Sequence, residues 1–210
     1  MGENQKNEGL THSMYWEELG KMDPGNVVQR TGAAYLPERG GYSLPILNQQ
    51  YLILPQERKI FNRRGDIWEE EKVRTFFNLM VLLYLMNADE VEPAHAWISA
   101  QEMKGGAAFF RGPHALPVEG LQKAFGKNPE AFAQSGKHLG GVELLFGDRA
   151  FALMVFPKVL LAYILWKEDD EFPAQVNILF DSTIQKHFAL DGIWCMTLEV
   201  SQRLLDIQDR

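Results

Sequence analysis

Thiols are almost absent from this sequence: its 210 residues include one cysteine, Cys195. That excludes an intrachain disulfide framework and any thiolate cluster built by this chain alone, and it points to a reducing, cytoplasmic setting. Positive charge is also scarce. Lys and Arg number 21 against 28 Asp and Glu, a formal net charge of −7 that would repel a phosphate backbone, so nucleic acid is not an expected partner. The densest basic group, Arg58, Lys59, Arg63 and Arg64, reads as a solvated edge around a turn. An apolar leader is missing too, because Met1 to Leu10 are polar and read as a disordered tail, with nothing to direct export. Long apolar runs are few. The stretch from Phe76 to Met86 is too short to span a bilayer, and the longer one from Ala150 to Trp166 is split by Pro157 and Lys158, so it reads as two strands rather than a membrane helix.

Several catalytic signatures are missing as well. There is no phosphate-cradling glycine loop followed by Lys-Ser or Lys-Thr, no glycine-flanked nucleophilic serine, and no histidine pair at zinc-binding spacing. Gly105-Gly106 does not follow a clear strand, so it argues weakly for anion binding. Cys195 sits in a helical pattern, where a lone thiol is usually a packing group.

What is present is a chain that is 46% hydrophobic, enough to build one real core over residues 11–210. Tyr15, Leu19 and Met22 are spaced as a short amphipathic helix. Asp23 with Pro24 behind it then starts a second helix that Gly32 ends. Tyr42 to Phe61 reads as three strand pieces separated by Pro45, Asn48 and Pro55. From Glu69 to Asn87, about residues 70–87, the pattern becomes a helix that is charged at its start and apolar on nearly every side from Phe76 onward, and therefore buried. Trp97, Pro93 and Gly105-Gly106 mark a loop region, and two short helices follow, the second opened by Asn128-Pro129-Glu130.

The C-terminal third is an expected antiparallel meander over about 142–180. Val142, Leu144 and Phe146 alternate, and Gly147-Asp148 suits a two-residue hairpin turn. Arg149 to Phe156 and Leu160 to Trp166 are apolar on both faces and read as central strands, while Gln175 to Phe180 alternates like a strand nearer the edge. A final helix over about 191–207 carries Ile193, Met196, Val200, Leu204 and Ile207 on one stripe, with Asp191 as its cap. The expected fold is α+β, with the mainly antiparallel sheet packed against the central and C-terminal helices.

That strand order sorts chemistry onto two rims. The Gly147-Asp148-Arg149 turn and the Lys167 to Phe172 loop share one. His138, Gly140-Gly141, Lys158, Asp181 and His187 share the other. A seven-residue strand spans about 23 Å, so Asp181 cannot share a site with Asp169 or Glu171. On the first rim, Glu168 to Glu171 offers four carboxylates with Arg149 nearby. Such oxygens suit a hard divalent cation, but the spacing lacks the ligand alternation and central glycine of a calcium loop and better describes a solvated hairpin tip, so no metal site is assigned. On the second, His138 and His187 near Asp181 would make an acid–base set, whereas the simpler reading has Asp181 capping a turn with Ser182 and Gln185, and the histidines on the surface.

The run Trp166-Lys167-Glu168-Asp169-Asp170-Glu171-Phe172-Pro173, with Ile178-Leu179-Phe180-Asp181 after it, resembles the family catalogued as domain of unknown function 3786. Tyr84-Leu85, Trp97-Ile98-Ser99, Glu102, Gly105-Gly106, Gly140-Gly141 and Gly147-Asp148 extend the resemblance over most of the chain from Tyr15 onward. It implies an uncharacterised protein of anaerobic bacteria or archaea; similar proteins carry an added iron–sulfur domain of the type met in corrinoid one-carbon metabolism, which is missing here. The expectation is a non-catalytic domain that binds a small molecule, cofactor or protein partner through Trp97, Arg149, Trp166, Asp169 and Glu171. The alternative is a carboxylate-based enzyme dependent on a divalent cation. The sequence names no cofactor and no oligomeric state.

Overall fold

The computed structural model describes residues 13–71 and 75–208. The expected tail, Met1 to Leu10, lies outside the described residues. Two antiparallel five-stranded sheets make up the strand content. The first is a simple meander of β1 (Ala34–Leu36), β2 (Gly41–Ile46), β3 (Gln49–Leu54), β4 (Lys59–Arg64) and β5 (Ile67–Glu70). The second has the order β6-β10-β9-β8-β7, built from β6 (Trp97–Ile98), β7 (Val142–Leu144), β8 (Arg149–Phe156), β9 (Val159–Trp166) and β10 (Gln175–Asp181). The helices of four residues or more are α1 (13–19), α2 (Pro24–Thr31), α3 (Thr75–Asn87), α4 (Gly106–Phe109), α5 (Val118–Phe125), α6 (Pro129–His138) and α7 (Leu190–Gln208). This is an α+β fold, and none of its described helices is long and apolar enough to cross a membrane.

Local chemistry explains most element ends. Asp23 accepts a hydrogen bond from Asn26 N at 2.8 Å with Pro24 at the first helical position, and Gly32 closes α2 in the left-handed region at φ 69°. Asn128 caps α6 in the same way, accepting from Ala131 N at 3.1 Å. In β9 every residue but Trp166 is buried, as its unbroken apolar run requires of a central strand.

The core forms around α3, whose Phe77, Met80, Val81, Leu82, Tyr84 and Leu85 are fully buried. α7 packs on it with Ile193, Met196, Val200 and Leu204, the stripe expected from their spacing. Leu47 N donates to Val155 O at 3.0 Å, which ties the β2–β3 turn of the first sheet to β8 of the second. Tyr84 stacks on Phe156 with centroids 4.3 Å apart and donates from Oη to Thr31 O at 2.8 Å, so the central helix is anchored to both α2 and β8. On the far side, Phe125, Phe132, Phe151 and Tyr163 form a chain of ring contacts that fastens α5 and α6 to the second sheet.

Two expectations are corrected. Glu69 and Glu70 do not open the central helix: they lie in β5, opposite Asn62 and Phe61, and their side chains pair with Arg64 and Lys59. Gly147-Asp148 is not a two-residue turn either. Leu144 pairs with Ala150, so β7 stops short and Leu145 and Phe146 join the glycine and aspartate in a longer loop, exposed to water. Alternation alone cannot distinguish a strand's last residues from a loop with the same apolar content.

α6 approaches β8 so closely that a Cβ on Gly136 would lie 2.4 Å from the Phe151 ring. Gly136→Ala should therefore destabilise the fold by about 1–3 kcal/mol through overpacking, read as a lower midpoint in urea; an unchanged midpoint would contradict this packing.

Candidate functional site

The register separates the two rims. Gln175 pairs with Trp166 at one end of β10, and Phe180 pairs with Leu161 near the other. Asp169 therefore lies beyond the first end and Asp181 at the opposite pole, as their positions in the chain require.

At the first rim the two loops hold each other. Asp148 N donates to Leu165 O at 2.9 Å, and Asp148 Oδ2 accepts from Lys167 N at 2.9 Å. Asp169 Oδ1 accepts from the backbone of Glu171 at 2.9 Å and of Phe172 at 2.7 Å. These bonds, chiefly the one from Glu171, hold the Asp169 carboxyl below the usual carboxylate range. Glu168 pairs with Lys127 at 3.2 Å. The acidic residues are thus partly spent on shaping the tip, and among the described residues no three His, Cys, Asp or Glu side chains converge as a metal would need. What the tip presents is apolar: Leu145 is 98% exposed, Phe172 62%, Phe146 48% and Trp166 38%. A hollow of about 270 Å³ lies beside Trp166, Asp169, Phe172 and Pro173.

Of the residues expected at this rim, Trp166, Asp169 and Glu171 gather there. Arg149 keeps one bond to the rim, from Nη1 to Asp148 O at 2.7 Å, while its guanidinium also pairs with Glu130 of α6 and lines a separate hollow with Lys137 and Glu143. Trp97 is the clear correction: as the partner of Asp181 in β6, it lies at the other pole, a strand length from Trp166. The sequence order could not reveal this, because β6 joins the sheet from a loop far upstream.

The second pole is held by Asp181. Its carboxylate accepts from Ala94 N at 3.1 Å, His95 N at 2.7 Å, Thr183 N at 3.0 Å and Thr183 Oγ1 at 2.7 Å. Burial, the largest single influence, raises its pKa, but the four donors together outweigh it and the net direction is down. The expected capping box with Gln185 does not form, since the Gln185 side chain bonds to Lys104 N and O instead. His187 is also not a surface residue. It is 1% exposed, neither ring nitrogen has a partner, and it lines a hollow of about 330 Å³. Burial first, then Lys158, pushes its pKa down against Asp89, Asp181 and Glu92. Lys158, itself buried, pairs with the exposed Glu92 at 3.2 Å. His138 takes no part in this pole; it faces a third place, between the first sheet and α7.

That third place went unnoticed in the sequence. A cleft of about 390 Å³ is lined by Tyr51, Asn62, Glu71, His138 and Arg203 among others. Arg203 donates from Nε to Glu199 at 2.8 Å and from Nη1 to Tyr51 Oη at 3.0 Å, and its guanidinium lies 4.6 Å from the centre of the Phe77 ring. Burial alone would lower its pKa, yet Tyr51 and Glu199 hold it above normal. Two signals could have revealed the cleft: Asn62 occupies an inward position two residues after Ile60, and Glu199 with Arg203 puts an ion pair beside an apolar stripe.

The second pole makes two predictions. Asp181→Ala should cost about 2–3 kcal/mol, since four donors lose a charged acceptor; its contribution is full above the ordinary value of 3.8 and is lost as pH falls through the lower folded value. His187 favours the neutral form, so its contribution holds above the ordinary value of 6.5 and falls away on acidification. His187→Leu should leave thermal stability at neutral pH unchanged or higher and flatten the decline below 6.5; an equally steep decline would contradict the assignment.

Neither a curated protein nor a solved structure matches this chain. A family model described as "Domain of unknown function (DUF3786)" matches residues 23–203, which takes in both sheets, the acidic tip and most of α7. The chain belongs to that family.

Proposed function

We propose that this chain is a non-catalytic binding domain whose acidic, aromatic rim docks a protein partner. The observation that carries the reading is the exposure of Trp166 at the end of β9 and of Leu145, Phe146 and Phe172 on the two loops beside it, which hydrogen-bond to each other. Clustered apolar side chains facing water mark interaction surfaces, and aromatic residues supply the anchors of such surfaces. The neighbouring hollow of about 270 Å³ is small for a drug-sized ligand, so these side chains enter a partner's pocket rather than line one of their own. Glu168, Asp170 and Glu171 are exposed around them, which selects a partner whose apolar pocket is fringed by Lys and Arg. An anaerobic one-carbon setting for such docking is part of the proposal and rests on the family resemblance alone.

A carboxylate-based enzyme receives less support from this rim, because Asp148 and Asp169 are engaged by backbone N–H groups and Glu168 by Lys127.

The test is a Leu145→Asp/Phe172→Asp double variant, whose melting temperature should stay close to wild type because both side chains face water. Wild-type chain purified from its source should retain a partner, held at least about tenfold more weakly by the variant and more weakly as salt rises. Equal retention by the variant, or a concentration-dependent homodimer that the variant abolishes, would overturn the proposal.

A further inference from the structure

The cleft between β3, β4 and α7 contains two buried polar atoms with no partner, Asn62 Oδ1 and Arg203 Nη2. Asn62 is 8% exposed, and its amide nitrogen is already committed to Glu71 at 2.6 Å. The two groups are held close: Asn62 is the strand partner of Tyr51, and Tyr51 Oη accepts from Arg203 Nη1 at 3.0 Å. An unmet acceptor and an unmet donor on one cleft are costly, and unsatisfied buried groups of this kind occur at sites that hold a water, an ion or a ligand.

The charge of the walls narrows the ligand. Arg64 already pairs with Glu69 and Lys59 with Glu70, so the charges that adjoin the two unmet atoms are the Arg203 guanidinium and the Glu71 carboxylate. A simple anion would meet Arg203 but leave Asn62 Oδ1 unmet beside the Glu71 carboxylate, and a simple cation would leave Arg203 Nη2 unmet. A molecule carrying both charges on neighbouring atoms answers both.

We infer that this cleft binds a small zwitterion of the α-amino acid class. Its carboxylate accepts from Arg203 Nη2, and its ammonium donates to Asn62 Oδ1 and the Glu71 carboxylate. Both protein atoms are buried, and the exposed Gln49, whose Oε1 accepts from Tyr51 Oη at 3.0 Å, is the lining side chain that must swing aside for the ligand to reach them. The cleft volume of about 390 Å³ accommodates a ligand of this size. Arg203 is pre-oriented by Glu199, Tyr51 and the Phe77 ring, which lowers the ordering cost of the contact.

The experiment is a titration of isotope-labelled wild-type chain with each of the common L-amino acids, with acetate and ethylamine as single-charge probes. The expected result is a Kd below about 1 mM for at least one amino acid, with shifts at the Asn62 side-chain amide and Arg203 Nε–H. Acetate and ethylamine should bind at least about tenfold more weakly, as should the amino acid to Asn62→Ser and Arg203→Lys. Arg203 also supports the fold, so the wild-type titration and the Asn62→Ser variant decide the matter if Arg203→Lys is unstable. No shift at these groups with any amino acid, shifts confined to the Trp166 rim, or equal binding of acetate alone would overturn the assignment.

Discussion

A helix with no polar side has to be enclosed, and α3 imposes that constraint on everything around it. From Phe77 to Leu85 it turns apolar side chains in nearly every direction, so one sheet or one partner helix cannot cover it. Two sheets and α7 do so together, and the Leu47 to Val155 hydrogen bond fixes where the sheets meet. Tyr84 provides the polar end of the arrangement. Its hydroxyl reaches Thr31 O, and burial pushes its pKa well above the ordinary tyrosine range.

Enclosing α3 also decides where polar groups are stranded. α7 must lie along the helix, which carries Glu199 and Arg203 to Tyr51 on the central strand of the first sheet and sets the guanidinium over Phe77. The three buried polar clusters differ in how fully they are satisfied. Asp181 has four donors and acts as a clamp between β10 and the loop before β6. His187 has none, and burial together with Lys158 biases it toward the neutral form. The Asn62 and Arg203 pair is intermediate, ordered on one side and unmet on the other, and this is why the cleft rather than the Asp181 pole invites a small ligand.

The acidic rim follows a different logic. Its apolar side chains are not left over from the core, because β8 and β9 complete their packing before the loops begin. The carboxylates of Asp148 and Asp169 spend their hydrogen-bonding capacity on backbone N–H groups, which stiffens the loops that carry Trp166 and Phe172. Aromatic groups on a stiffened tip lose little entropy on docking.

Periodicity was enough to reveal the buried α3, the stripe of α7, the capped start of α2 and the β7 to β10 meander, because each rests on contacts between residues near in sequence or on a burial pattern repeated along one element. From the same reasoning came the separation of Asp169 from Asp181. Tertiary structure alone decided that Trp97 crosses to the Asp181 pole, that His187 is buried, and that Tyr51, Asn62 and Arg203 share one cleft. Those outcomes depend on pairings between segments tens of residues apart, such as β6 with β10 and β3 with α7, and a pairing of that kind leaves no periodic trace in either segment.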